Sequence, residues 1–138
     1  MRAVLQDEYG SAGEVLRVEP EEPPPEIGDG EVLVKVHSAG VDRGVWHLVA
    51  GLPYMVRLAG YGIRRPKQRI PGFDFSGRVE RVGPGVESVE PGDEVFGIAE
   101  GAFAEYACAP EGKVVPAPET IGPDQAAAVP ISGLTALQ

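Results

Sequence analysis

Val82-Gly-Pro-Gly-Val-Glu-Ser-Val-Glu-Pro-Gly-Asp-Glu-Val-Phe-Gly97 sets glycine and proline where a strand must turn sharply and return. Glycine has no Cβ and tolerates positive φ, so it suits tight corners, and proline donates no hydrogen bond to a ladder. The residues before this stretch, Phe75 to Val82, alternate as a strand, and Glu94 to Ile98 reads as its return. The stretch therefore predicts a hairpin with a Gly/Pro-rich connection.

The same reading extends outward in both directions. Glu31 to Ala39 alternates, with Val32, Val34 and Val36 on one face and Leu33, Lys35 and His37 on the other. Arg2 to Gln6 and Val15 to Val18 read as short strands around a turn at Tyr9-Gly-Ser-Ala-Gly13. Pro23, Pro24 and Pro25 make Glu19 to Gly30 a surface connection. Phe103 to Ala109 reads as a further strand, and Pro116 and Pro118 break the pattern after it. Helical readings are few. Asp42 precedes one over Val45 to Ala50, which Gly51 ends, and Met55 to Leu58 suits one turn. Pro123 opens Asp124 to Val129, and Pro130 separates that segment from a last helix reaching Gln138. Short strands at regular spacing with Gly/Pro turns predict a mainly β fold, a small barrel or sandwich with a few short helices.

Composition narrows the function classes. Twelve bases against 21 acids give a net charge of −9, which disfavours nucleic acid and anionic membrane as partners. A single cysteine, Cys108, excludes an internal disulfide and any multi-cysteine zinc site. No stretch has signal-peptide or membrane-span character, so a cytoplasmic location is expected.

Four ordered segments carry a resemblance. They are Gly30-Glu-Val-Leu-Val-Lys-Val-His-Ser-Ala-Gly-Val41, Pro71-Gly-Phe-Asp-Phe-Ser-Gly-Arg-Val79 with the hairpin that follows, Gly101-Ala-Phe-Ala-Glu-Tyr106, and Ala126-Ala-Ala-Val-Pro130 with Leu134-Thr-Ala136. Together they resemble the medium-chain dehydrogenase/reductase family, in its zinc-independent, quinone-oxidoreductase-like branch. The resemblance implies a GroES-like β-barrel as catalytic lobe, followed by a Rossmann domain that holds the nicotinamide cofactor. It places residues 1–125 in the lobe and 126–138 at the start of the helix leading into the Rossmann domain, which would begin about where this sequence ends. No G-x-G-x-x-G follows a strand, so the dinucleotide fingerprint is absent from these residues.

The implied chemistry is hydride transfer from NADP or NAD to a quinone or an α,β-unsaturated carbonyl, with no zinc. Zinc-dependent relatives have a cysteine soon after the Ala-Gly-Val segment and Gly-His-Glu where this chain reads Gly72-Phe73-Asp74. Asp42 stands at the first place, and Phe73 has no donor atom. His37, His47 and Cys108 read instead as a strand residue, a cleft or surface residue and a small buried hydrophobe.

The resemblance puts Asp42, Trp46 and Tyr54 forward for catalysis, and Asp42 and Thr135 for cofactor contact. Family members commonly have asparagine at the place of Asp42, near nicotinamide and substrate. An ionised aspartate accepts hydrogen bonds but donates none, and it also serves as an ordinary helix cap. Trp46 is a candidate apolar wall and Tyr54 a candidate donor to a carbonyl; both also read as packing aromatics. Thr135 matches a threonine that faces the cofactor, or it bonds its own helix backbone. Five cations between Arg57 and Arg69 offer either a steering patch or a solvated loop face, on a segment long enough to act as a lid. The expected partners are a small carbonyl or quinone substrate and a second copy of the chain. The 138-residue chain alone is expected to be inactive and to bind no cofactor. A different class of reading is a stand-alone GroES-like module that binds or merely scaffolds.

Overall fold

Valine-rich strands dominate the centre of the molecule because β-branched side chains pack well on a pleated surface. The computed structural model describes every residue from Met1 to Gln138. In chain order the elements are β1 (Ala3–Gln6), α1 (Ala12–Val15), β2 (Leu16–Glu19), β3 (Glu31–Ala39), α2 (Arg43–Ala50), β4 (Asp74–Val82), β5 (Glu94–Ile98), β6 (Tyr106–Pro110), β7 (Val114–Pro116), α3 (Pro123–Ala127) and α4 (Pro130–Leu137). Five strands form one sheet in the order β6-β3-β4-β5-β7, and β1 pairs with β2 beside it. Every pairing is antiparallel. The bridge Ala3↔Ala104 and the bond from the Val4 N–H to the Phe103 carbonyl tie β1 to the segment leading into β6. The sheet thus curls into a half-barrel.

Val32, Val34, Phe75, Val79, Val95, Ala107 and Ala109 fill its concave side. Leu33 is also buried, although the alternation in β3 puts it on the opposite face. There the proline-rich connection runs past β6, close enough for the Glu26 carbonyl to receive the Cys108 thiol at 3.5 Å. Two irregularities in the β3–β4 register, at Leu33/Val34 and Val36/Ser38, bend β3 around the core.

The hairpin between β4 and β5 forms as its glycines require, with Gly85 at φ 84° and Gly92 at φ 101°. The Glu111 carboxylate accepts the backbone N–H groups of Glu87 and Ser88 and so pins the connection; the Ser88 side chain, then these two N–H groups, pull its pKa down.

Several boundaries differ from the sequence reading. Ala12–Val15 makes a helical turn, because the Glu14 and Val15 N–H groups both find the Ser11 carbonyl, so β2 starts at Leu16. Regular pairing in β6 starts at Tyr106, because residues 103–105 bond to β1 as well. A strand went unread at Val114–Pro116. It pairs with β5 at the sheet edge, where proline costs no ladder bond. The helical turn expected at Met55 runs on as a wide coil through Arg57–Tyr61, kinked at Gly60 (φ 109°) and closed by Gly62 (φ 110°).

Candidate functional site

α2 begins where β3 ends, and its geometry follows from both caps. The Asp42 Oδ1 accepts the Val45 N–H at 2.7 Å, and Gly51 ends the helix in the left-handed region at φ 63°. Val45 and Val49 are buried on the inner face of α2. Trp46 projects from the other face, 51% exposed, with its ring edge-to-face against His47 at 4.9 Å. The His47 Nδ1 lies 2.8 Å from the Leu52 carbonyl, so a proton on that nitrogen donates to it. Tyr54 is 69% exposed, and the Arg57 guanidinium sits 4.9 Å from its ring and 4.4 Å from that of Tyr9. Asp42 caps the helix that carries Trp46, whereas Tyr54 lies beyond its C-terminal end with Arg57 stacked between it and Tyr9.

Behind α2 lies a cavity of about 330 Å³. Val45 and Leu48 form one wall, Phe73 and Pro71 the floor, and Ala59 to Tyr61 with Pro66 to Gln68 the roof. Part of the segment between Arg57 and Arg69 thus lines this cavity. It is stitched down: the Tyr9 hydroxyl reaches the Tyr61 and Gly62 carbonyls, and the Gln6 N–H donates to the Arg69 carbonyl. Asp42, Trp46 and Tyr54 do not line this cavity. Two of the five clustered cations have local partners. Arg57 donates to the Gly51 carbonyl, and Arg69 pairs with Asp7 and Glu22.

The residue missed by sequence reasoning is Asp74. It opens β4 and is only 3% exposed, and the Ile131 N–H at the start of α4 reaches its two carboxylate oxygens at 3.3 and 3.2 Å. Burial pushes its pKa up to about 6, the Ile131 N–H opposes that rise, and the nearby charge of Asp42 adds to it. The available signal was an acid flanked by Phe73 and Phe75 inside a strand, where an unpaired carboxylate is costly. Thr135, one turn further along α4, donates its hydroxyl to the Ile131 carbonyl at 2.8 Å.

No three His, Cys, Asp or Glu groups converge. His37 lies 3.8 Å from Glu94, and Cys108, its pKa raised by burial, sits under the proline-rich connection. The sheet is wholly antiparallel, without the strand–helix–strand crossover whose helix N-terminus binds pyrophosphate.

Residues 28–119 match the alcohol dehydrogenase GroES-like domain. A chloroplastic quinone oxidoreductase of Triphysaria versicolor is 34% identical over 99% of this chain and 40% of its own length. The quinone oxidoreductase of Coxiella burnetii superposes with a TM-score of 0.86 at 32% identity, over 100% of this chain and 43% of that one. The Escherichia coli quinone oxidoreductase, solved with NADPH, gives 0.80 at 26% identity over 98% of this chain and 39% of that one. The chain thus spans about two fifths of the length of these relatives. Its half-barrel, its order of elements and this likeness along its whole length make it a member of the medium-chain dehydrogenase/reductase family, in the quinone-oxidoreductase-like branch.

Proposed function

We propose that the chain is the substrate-side lobe of a nicotinamide-dependent reductase that acts on a quinone or an α,β-unsaturated carbonyl without zinc. The observation that carries this reading is the likeness along the whole chain to quinone oxidoreductases, one of them solved with NADPH. The donor set agrees with it, because no side chains gather to hold zinc. A carbonyl oxygen must then be polarised by hydrogen bonds. On this reading Trp46 gives a flat apolar wall to a planar substrate, and the Tyr54 hydroxyl reaches its oxygen once Arg57 shifts. Asp42 and Thr135 stand toward the nicotinamide. An aspartate carboxylate in that place favours the cationic, oxidised ring.

The test is a chimera that joins this chain to the cofactor-binding part of the Coxiella burnetii relative. NADPH oxidation is followed with a quinone and with an enone as acceptors. Turnover that falls in a Trp46→Ala chimera while its fold is kept supports the assignment. A chimera that folds and binds NADPH, yet reduces neither acceptor, overturns it and favours a non-enzymatic module.

A further inference from the structure

Ile131 is held from both sides. Its N–H is taken by the two carboxylate oxygens of Asp74, and its carbonyl receives the Thr135 hydroxyl. Residues four apart on a helix share a face, so any shift of Ile131 moves Thr135 with it. The fit beneath Asp74 is close. The Gly40 N–H donates to the Asp74 carbonyl at 2.9 Å, and a Cβ at Gly40 would lie 2.5 Å from the Ala127 carbonyl oxygen and 2.9 Å from the Asp74 Cβ. The preceding helix is seated on the same two strands, by Ser76 donating to the Pro123 carbonyl and Ser38 to Asp124.

We propose that Asp74 is a positioning residue: its carboxylate anchors the N-terminus of α4 on β4 and so fixes where Thr135 stands. Its relevance to turnover rests on the reading of Thr135 as a cofactor-facing group; the anchor itself does not. An anion suits this place, because the first N–H groups of a helix lack intrahelical partners and carry the positive end of its dipole. The opposing cost is burial, which outweighs the Ile131 N–H and raises the pKa of Asp74 to about 6. Its charged surroundings are few. Asp42 is the charge that acts on it, and α4 has no ionisable side chain. On α3, Asp124 is engaged by Ser38, and on β5 the partner across the ladder is Ile98.

The test follows the amide resonances of the full chain from about pH 5 to pH 8, in the wild type and in Asp74→Asn and Asp74→Ala. The Ile131 amide should titrate with an apparent pKa near 6 in the wild type, with Thr135 following, and both should be flat in D74N. In D74A the Ile131 amide should exchange about tenfold faster, as for the loss of one hydrogen bond to a charged group, and D74N, which keeps a carbonyl acceptor, should restore part of the protection. A pH-independent Ile131 amide in the wild type overturns the proposal, and so does equal exchange in D74N and wild type at neutral pH. If D74A does not fold, the D74N comparison decides alone. An inactive chimera with the Ile131 titration intact would sink the functional reading and leave the anchor standing.

Discussion

Asp42 has two separable roles, and one substitution series divides them. Its cap bond to Val45 should be lost in Asp42→Ala at a cost of about 1 kcal/mol and nearly kept in Asp42→Asn, read as the urea midpoint of the chain. In the chimera, D42N should alter turnover although stability is kept. Equal stability in D42A and wild type would remove the capping role. Asp74 gives the pH-dependent counterpart. Its folded pKa of about 6 exceeds the ordinary 3.8, so the fold favours the protonated form by about 3 kcal/mol. That contribution is fully present below pH 3.8 and is lost as pH rises through about 6. Unfolding free energy should therefore fall between about pH 4 and pH 6 more steeply in the wild type than in D74N. Parallel slopes would contradict the burial argument. Asp42 was legible in the sequence because capping is local. Asp74 was not, because its hydrogen-bond partner, the Ile131 N–H, lies more than fifty residues further along the chain.

At the scale of elements, β3 and β4 approach so closely that glycine is needed between them. A Cβ at Gly77 would lie 2.2 Å from the Lys35 carbonyl oxygen and 2.8 Å from the Val34 Cγ1. Gly77→Ala should cost roughly 1–3 kcal/mol of stability by forcing backbone apart. Gly112→Ala, where a Cβ meets nothing within 4 Å, should be close to neutral. Equal urea midpoints for the two variants would show that the sheet relaxes more freely than its close packing implies. The long strands β3 and β4 were legible because strict alternation marks them. β7 was not, because Val114–Pro116 is three residues long and ends in a proline that only the sheet edge tolerates. The start of β2 was misplaced for a similar reason. A single helical turn at Ala12–Val15 forms from local bonds to Ser11 and leaves no periodic trace.

Across the whole molecule, the half-barrel brings the start of α4 onto the start of β4 and Asp42 close to Asp74, and the proposed site is assembled from residues scattered between Asp42 and Thr135. The hairpin glycines announced the architecture, but no periodicity announces a cavity. The one behind α2 depends on how residues 59–68 fold back over Leu48. A wholly antiparallel sheet has no parallel strand–helix–strand unit of the kind that binds a pyrophosphate, so cofactor affinity should reside outside these residues. Trp46 is the sole tryptophan and half exposed beside the proposed nicotinamide face, so its fluorescence reports directly on occupancy. Titrating the chain with NADPH or NADH should give no saturable quenching of Trp46, whereas the chimera should give it with either the preferred cofactor or both. Saturable quenching in the chain alone, abolished by Thr135→Val, would mean that this lobe holds the nicotinamide end without a dinucleotide fold. The division of labour argued from the sheet would then be wrong, while Thr135 would keep its place at the cofactor.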